Sequence, residues 1–258
     1  MLCHRLLAGT VLFTLFSPFL STTQAQNVGA PSSQALTRPR RAAVAGMITE
    51  RLSPKNLQRW KAIERFVFAE DSSGQLQHPT LRGLWEWAES SGHAIYIELS
   101  EPGRASNCTA GSFSIEQLDP LGKRHAAVIR LYLSNIDLAY VGPRVTRNVN
   151  FTPFEGLSKE ERYAEVLGHE LSHACFILGD LKRARLVEEV VEQTNEMLLM
   201  HTQRTNGPLD QGLRQRLLER DSLLQELEAQ ADQMEAAVWR EILTSKKAPD
   251  KNSLLGKK

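Results

Sequence analysis

The chain has 258 residues, of which 41% are hydrophobic and 24% charged, and its formal net charge is +1. This is the balance of a globular domain, alone or with a helical appendage. It offers no electrostatic footing for nucleic acid or an anionic membrane as partner.

The N-terminus reads as a targeting segment. His4 and Arg5 form a short basic start, residues 6–20 are apolar, and Thr23-Gln24-Ala25 has the small-x-small pattern of a cleavage site. Residues 1–25 are therefore expected to be a signal peptide cleaved after Ala25. The alternative is a membrane anchor, but roughly 15 apolar residues fall short of the ~20 that a spanning helix needs. The mature protein is then exported, to the bacterial periplasm or beyond, with no stable membrane insertion after cleavage. Export implies an oxidising compartment. Cys108 and Cys175 could pair there, or both could be small buried residues. Asn107-Cys108-Thr109 and Asn150-Phe151-Thr152 match the glycosylation pattern, which matters only in a eukaryotic source.

Residues 26–50, rich in Ala, Ser, Pro, Gln and Arg, read as a flexible linker. Ser53-Pro54 opens a helix over 54–68, with Leu57, Trp60, Ile63, Phe66 and Val67 at helical spacing. A second helix spans 79–91 and ends at Gly92. Residues 94–99 (AIYIEL) and 126–133 (AAVIRLYL) have the composition of strands. Residues 100–123, with two prolines and three glycines, read as loop with at most a short strand, and 141–157 as another loop. Beyond Ser158 the pattern is helical. Ser158 with Glu161 forms a capping box. One helix runs to Leu178 and stops at Gly179, a second covers 181–204, and a third covers 209–243. Residues 246–258 read as a disordered basic tail.

The chemistry is concentrated in Val166-Leu167-Gly168-His169-Glu170-Leu171-Ser172-His173-Ala174. On a helix, residues four apart lie one turn apart on one face, so His169 and His173 aim two imidazoles at one point. Glu170 is rotated about 100° from His169, beside such a metal rather than on it. It can there take a proton from a water that zinc has acidified. Random placement of 7 histidines and 22 glutamates gives about 0.02 expected matches to this spacing. Two histidines on a solvated helix face would look different, because the flanks here are uncharged.

The segment resembles the zincin signature, in which an uncharged-flanked HExxH helix binds catalytic zinc. The specific match covers nine residues. The resemblance implies an α+β fold: a zincin-like domain over 51–245 with a small mixed sheet, the HExxH active-site helix and a helical C-terminal half. It also implies an edge strand lining the substrate cleft, and strand 126–133 precedes the motif helix in the order that fold uses. Function follows as zinc-dependent hydrolysis of peptide bonds in a peptide or protein substrate, with one zinc ion on His169 and His173 and Glu170 as general base.

A catalytic zinc needs a third protein ligand. The metzincin extension fails, because Phe176 and Gly179 stand where Gly and His or Asp are required. A glutamate on a later helix remains. Glu228 opens Glu228-Ala229-Gln230-Ala231-Asp232, which resembles the ExxAD motif of a gluzincin group, in which Glu binds zinc and Asp orients the first histidine. Glu192 is the rival, 19 residues after His173, with Glu196 as its supporting carboxylate. Helical phase puts Glu228 about 80° from the centre of its apolar stripe and Glu192 about 120° from its own, so Glu228 is favoured. Glu188 and Glu235 also border apolar stripes. Tyr140, Tyr163, His201 and Arg240 are unranked candidates for a transition-state donor, and the four tryptophans read as core. The competing expectation is a non-catalytic exported metal-binding module, or an interaction module using helix 213–243.

Overall fold

The structure, a computed structural model, describes residues 46–100, 109–117, 125–139, 152–204 and 207–247. The fold is α+β with a small mixed sheet. In chain order the elements are β1 (Gly46–Ile48), α1 (Pro54–Val67), α2 (Pro79–Ser90), β2 (Ala94–Ser100), β3 (Gly111–Gln117), β4 (Ala126–Tyr132), α3 (Leu133–Asp137), α4 (Lys159–Leu178), α5 (Leu181–Arg204) and α6 (Gln211–Lys247).

The sheet order is β1-β2-β4-β3. β1, β2 and β4 run parallel, and β3 pairs antiparallel with β4. Alternation sorts the strand side chains into two faces. Ile95, Ile97 and Leu99 of β2, Ala127, Ile129 and Leu131 of β4, and Phe113 and Ile115 of β3 are buried in one core with the helices. The opposite face carries charge. There Arg51 reaches Glu98 at 3.1 Å and Glu116 at 3.0 Å, and Arg130 reaches Glu98 at 2.6 Å.

Helix ends follow their sequence signals. Ser53 caps α1, accepting from the Asn56 amide at 3.3 Å with Pro54 in the first turn. At α4, Ser158 Oγ accepts from the Glu161 amide at 3.4 Å and Glu161 accepts from the Ser158 amide at 2.6 Å. α6 is tied to α2 by Glu241, whose carboxylate accepts from the Thr80 amide at 3.0 Å. It is tied to the turn before α4 by Trp239, which donates to the Glu155 carbonyl at 3.0 Å. Trp60 and Trp85 stack in the core with ring centroids 5.0 Å apart, whereas Trp87 and Trp239 are only partly buried against it.

Three elements depart from the sequence reading. β1 lies inside the segment assigned to a linker, where its three residues pair with β2. β3 is a full seven-residue strand inside the segment read as loop. α3 is a single short helix directly after β4. The edge of the sheet on the motif-helix side is therefore β3, while β4 is an interior strand. α6 also runs to Lys247, two residues into the segment read as a disordered tail. Residues 1–25, expected to be a signal peptide, residues 248–258, Cys108 and its possible pairing with Cys175, and both asparagines of the glycosylation pattern lie outside the described residues. No described helix is long and apolar enough to cross a membrane.

Candidate metal centre

α4 is buried along its middle, with Val166, Leu167, Leu171 and Ala174 all in the core. A helix covered on both sides can hold polar groups only if they find partners. His169, Glu170 and His173 are 9%, 5% and 3% exposed.

His169 Nε2 and His173 Nε2 lie 3.1 Å apart, with the two rings nearly perpendicular. The carboxylate of Glu228, on α6, straddles the pair. One oxygen is 3.5 Å from His169 Nε2 and the other 3.4 Å from His173 Nε2. Three ligand atoms thus converge from two helices, in a group that could hold a metal ion.

Behind His169, Glu235 Oε2 lies 2.9 Å from Nδ1, and Asp232 Oδ1 lies 3.7 Å from the same nitrogen. Both carboxylates are buried. The sequence reading gave the orienting role to Asp232, but Glu235 is the closer partner. The signal for it was available: Glu228, Asp232 and Glu235 follow a four-then-three spacing that keeps all three on one helical face.

Charge in the centre is set by these contacts. Burial alone would raise the Glu228 carboxyl, yet its bonds to both histidines hold it well below the usual carboxylate range. Burial alone would lower His169, but Glu235, Glu228 and Glu170 outweigh it and hold the imidazole well above its ordinary value. Glu170 has no such bonded partner, and burial pushes its carboxyl up to about 7 against the attraction of the two histidines.

β3 closes the other side. Phe113 stacks toward His173 with ring centroids 6.5 Å apart, and the backbone of Gly111 lies directly against the Glu170 side chain. Neither residue was singled out in the sequence, because the strand that carries them was read as loop.

The remaining candidates fall elsewhere. Glu192 is on α5, and its side chain lies outside the described residues, as does Tyr140. Glu188 is half-buried on α5 and is not in the converging group. The Tyr163 hydroxyl donates to the Asp137 carboxylate, His201 contacts the Gly207 carbonyl at 3.1 Å, and Arg240 is exposed. None of these three supplies a donor at the centre.

Comparison with known proteins gives no match: no family model fits the chain, and neither a curated protein nor a solved structure resembles it significantly.

Proposed function

We propose that the chain is a zinc-dependent peptidase in which His169, His173 and Glu228 hold one zinc ion and Glu170 is the general base. The observation that carries this reading is the convergence of three ligand side chains. The two imidazole Nε2 atoms lie 3.1 Å apart, and the Glu228 carboxylate spans them with one oxygen 3.4 Å from His173 and the other 3.5 Å from His169. Donor atoms sharing one zinc ion stand about 3.3–3.4 Å apart, so His169, His173 and Glu228 are spaced as residues that would hold such an ion together. The donor set, two imidazoles and a carboxylate, also suits zinc.

When bound, the ion supplies Lewis acidity toward a carbonyl oxygen and brings the pKa of water to about 7. The chain's residues do the rest. Glu235 accepts a hydrogen bond from His169 Nδ1–H, which would leave Nε2, on the side of Glu228 and His173, as the nitrogen that gives up its proton to hold the ion. Glu170 takes a proton from the attacking water and delivers it to the leaving amine. A carboxyl that burial pushes up to about 7 is well matched to that exchange at neutral pH. β3 lies over the site, with Gly111 against the Glu170 side chain and Phe113 against the His173 ring, and would line the substrate cleft.

The test has two arms. Metal analysis of the purified protein should find one equivalent of zinc, lost in His169→Ala. Glu228→Ala should lower occupancy far more than Glu192→Ala, and equal retention in both would place the third ligand elsewhere. Casein or peptide cleavage should vanish in Glu170→Gln with zinc retained. N-terminal sequencing of the exported protein should begin at Gln26.

The near-complete burial of Glu170 favours one second reading, a metal-stabilised binding module without turnover. Its apolar contact surface would be the exposed Leu199 and Met200 of α5 and Leu218 of α6. Zinc without cleavage of any member of a broad peptide library would select that reading.

A further inference from the structure

The edge strand bears on the base as well as on the cleft. We propose that Gly111, the first residue of β3, is a positioning residue whose missing side chain fixes where the Glu170 carboxylate lies; this rests on the peptidase reading. A Cβ built on Gly111 would fall 2.5 Å from Glu170 Oε1, 2.8 Å from Cγ and 2.9 Å from Cδ. The conflict is with the whole carboxymethyl end of the side chain, not with one movable tip.

The glycine is not there for its backbone. Gly111 is absent from the positive-φ glycines, and an ordinary residue suits its strand conformation. Space is the requirement. Glu170 cannot retreat, because it sits in the buried stretch of α4 between Val166, Leu167, Leu171 and Ala174. β3 cannot easily lift either, because Phe113 and Ile115, the next inward residues, are buried in the core. A methyl at position 111 therefore displaces the carboxylate. A misplacement of about 1 Å in a reacting group can cost on the order of 100-fold in rate.

The experiment is Gly111→Ala in the zinc-loaded full chain, alone and combined with substitutions of Glu170. The expected result is a fall in kcat of at least about tenfold. KM should stay within about threefold, because zinc and the cleft are untouched. Zinc content should remain at one per chain. In a Glu170→Asp background, whose shorter side chain withdraws from Gly111, the same substitution should cost less than about threefold. Thermal melting reads the contact without any activity: Gly111→Ala should lower Tm when Glu170 is present and leave it unchanged in Glu170→Ala. Should Gly111→Ala alone prove insoluble, Glu170→Ala must restore soluble folded protein. Unchanged kcat, an equal loss in the Glu170→Asp background, an equal Tm drop in Glu170→Ala, or no rescue of solubility would each overturn the proposal. A wild-type chain that binds zinc and cleaves nothing refutes the peptidase reading and the catalytic half of this one, while the Tm comparison still decides the contact.

Discussion

Glu235 is the residue on which the order of the proposed centre depends most: it stands behind His169, in a second buried group with Asp232 that could itself hold a metal ion. It is fully buried, and its 2.9 Å contact fixes the ring of His169 in tilt and tautomer. Supporting carboxylates of this kind are typically worth 10–100-fold in metal affinity. Glu235→Gln should therefore weaken zinc binding by about that factor in competition with a chromophoric chelator. Asp232→Asn, which removes a contact of 3.7 Å, should cost less. A larger loss in Asp232→Asn would return the orienting role to the residue the sequence favoured. The convergence of His169, His173 and Glu228 was legible because spacing and helical phase bring those side chains to one place. Spacing put Glu235 on the same face as well, but phase cannot choose between two acids three residues apart on one face; only the distance to Nδ1 does.

Between elements, the decisive contact is α4 against α6, since each supplies part of one group that could hold a metal ion. Gly168, next to His169, makes the approach possible: a Cβ there would meet Val238 Cγ2 at 3.1 Å and Leu81 Cδ1 at 3.5 Å. Gly168→Val should push α6 away, cost about 1–3 kcal/mol of stability and weaken metal binding without altering a ligand. Denaturation with and without zinc reads both effects. A second consequence concerns α2, which begins beside a buried His78. Neither ring nitrogen of His78 has a hydrogen-bond partner, and the ring stacks on Phe66 with centroids 4.2 Å apart. Burial lowers its pKa to about 4, opposed only weakly by Glu161. An unfolded chain takes up this proton near pH 6.5 and the folded one near 4, so stability is complete above pH 6.5 and declines as pH falls toward 4. The loss should reach about 2–3 kcal/mol, and His78→Phe should flatten the denaturation midpoint across that window. His93 adds a shift in the same direction, from burial and the stacked His125. The long helices and their caps were legible from local signals. β3 was not, although Phe113 and Ile115 alternate with Ser112 and Ser114, because the glycines and prolines on either side dilute that short run. β1 is too short to carry a period at all, and its pairing partner, not its own residues, makes it a strand.

Across the whole molecule, the metal would act as a cross-link between the helical hairpin and the sheet-bearing half. α6 is 37 residues long, and its buried residues Leu227, Ala231, Glu235, Val238 and Ile242 pack it toward α4 and α2. Binding that favours only the folded state stabilises it by mass action. With zinc at 100 times its dissociation constant the gain is about 2.7 kcal/mol. For a domain of this size that corresponds to roughly 5–10 °C in Tm. Treatment with a chelator should lower the melting temperature by that amount, re-addition of zinc should restore it, and Glu228→Ala should show neither change.

The order of the donors along the polypeptide has a further result. Both histidines emerge from the ribosome with α4, but Glu228 follows only on the last described helix, after all of α5. Because synthesis is slow compared with local folding, a growing chain carries two imidazoles without the carboxylate that completes the candidate metal group until α6 has been made. The hydrolytic capacity proposed for the site would thus be withheld during translation, when unfinished neighbours are most exposed to being cut.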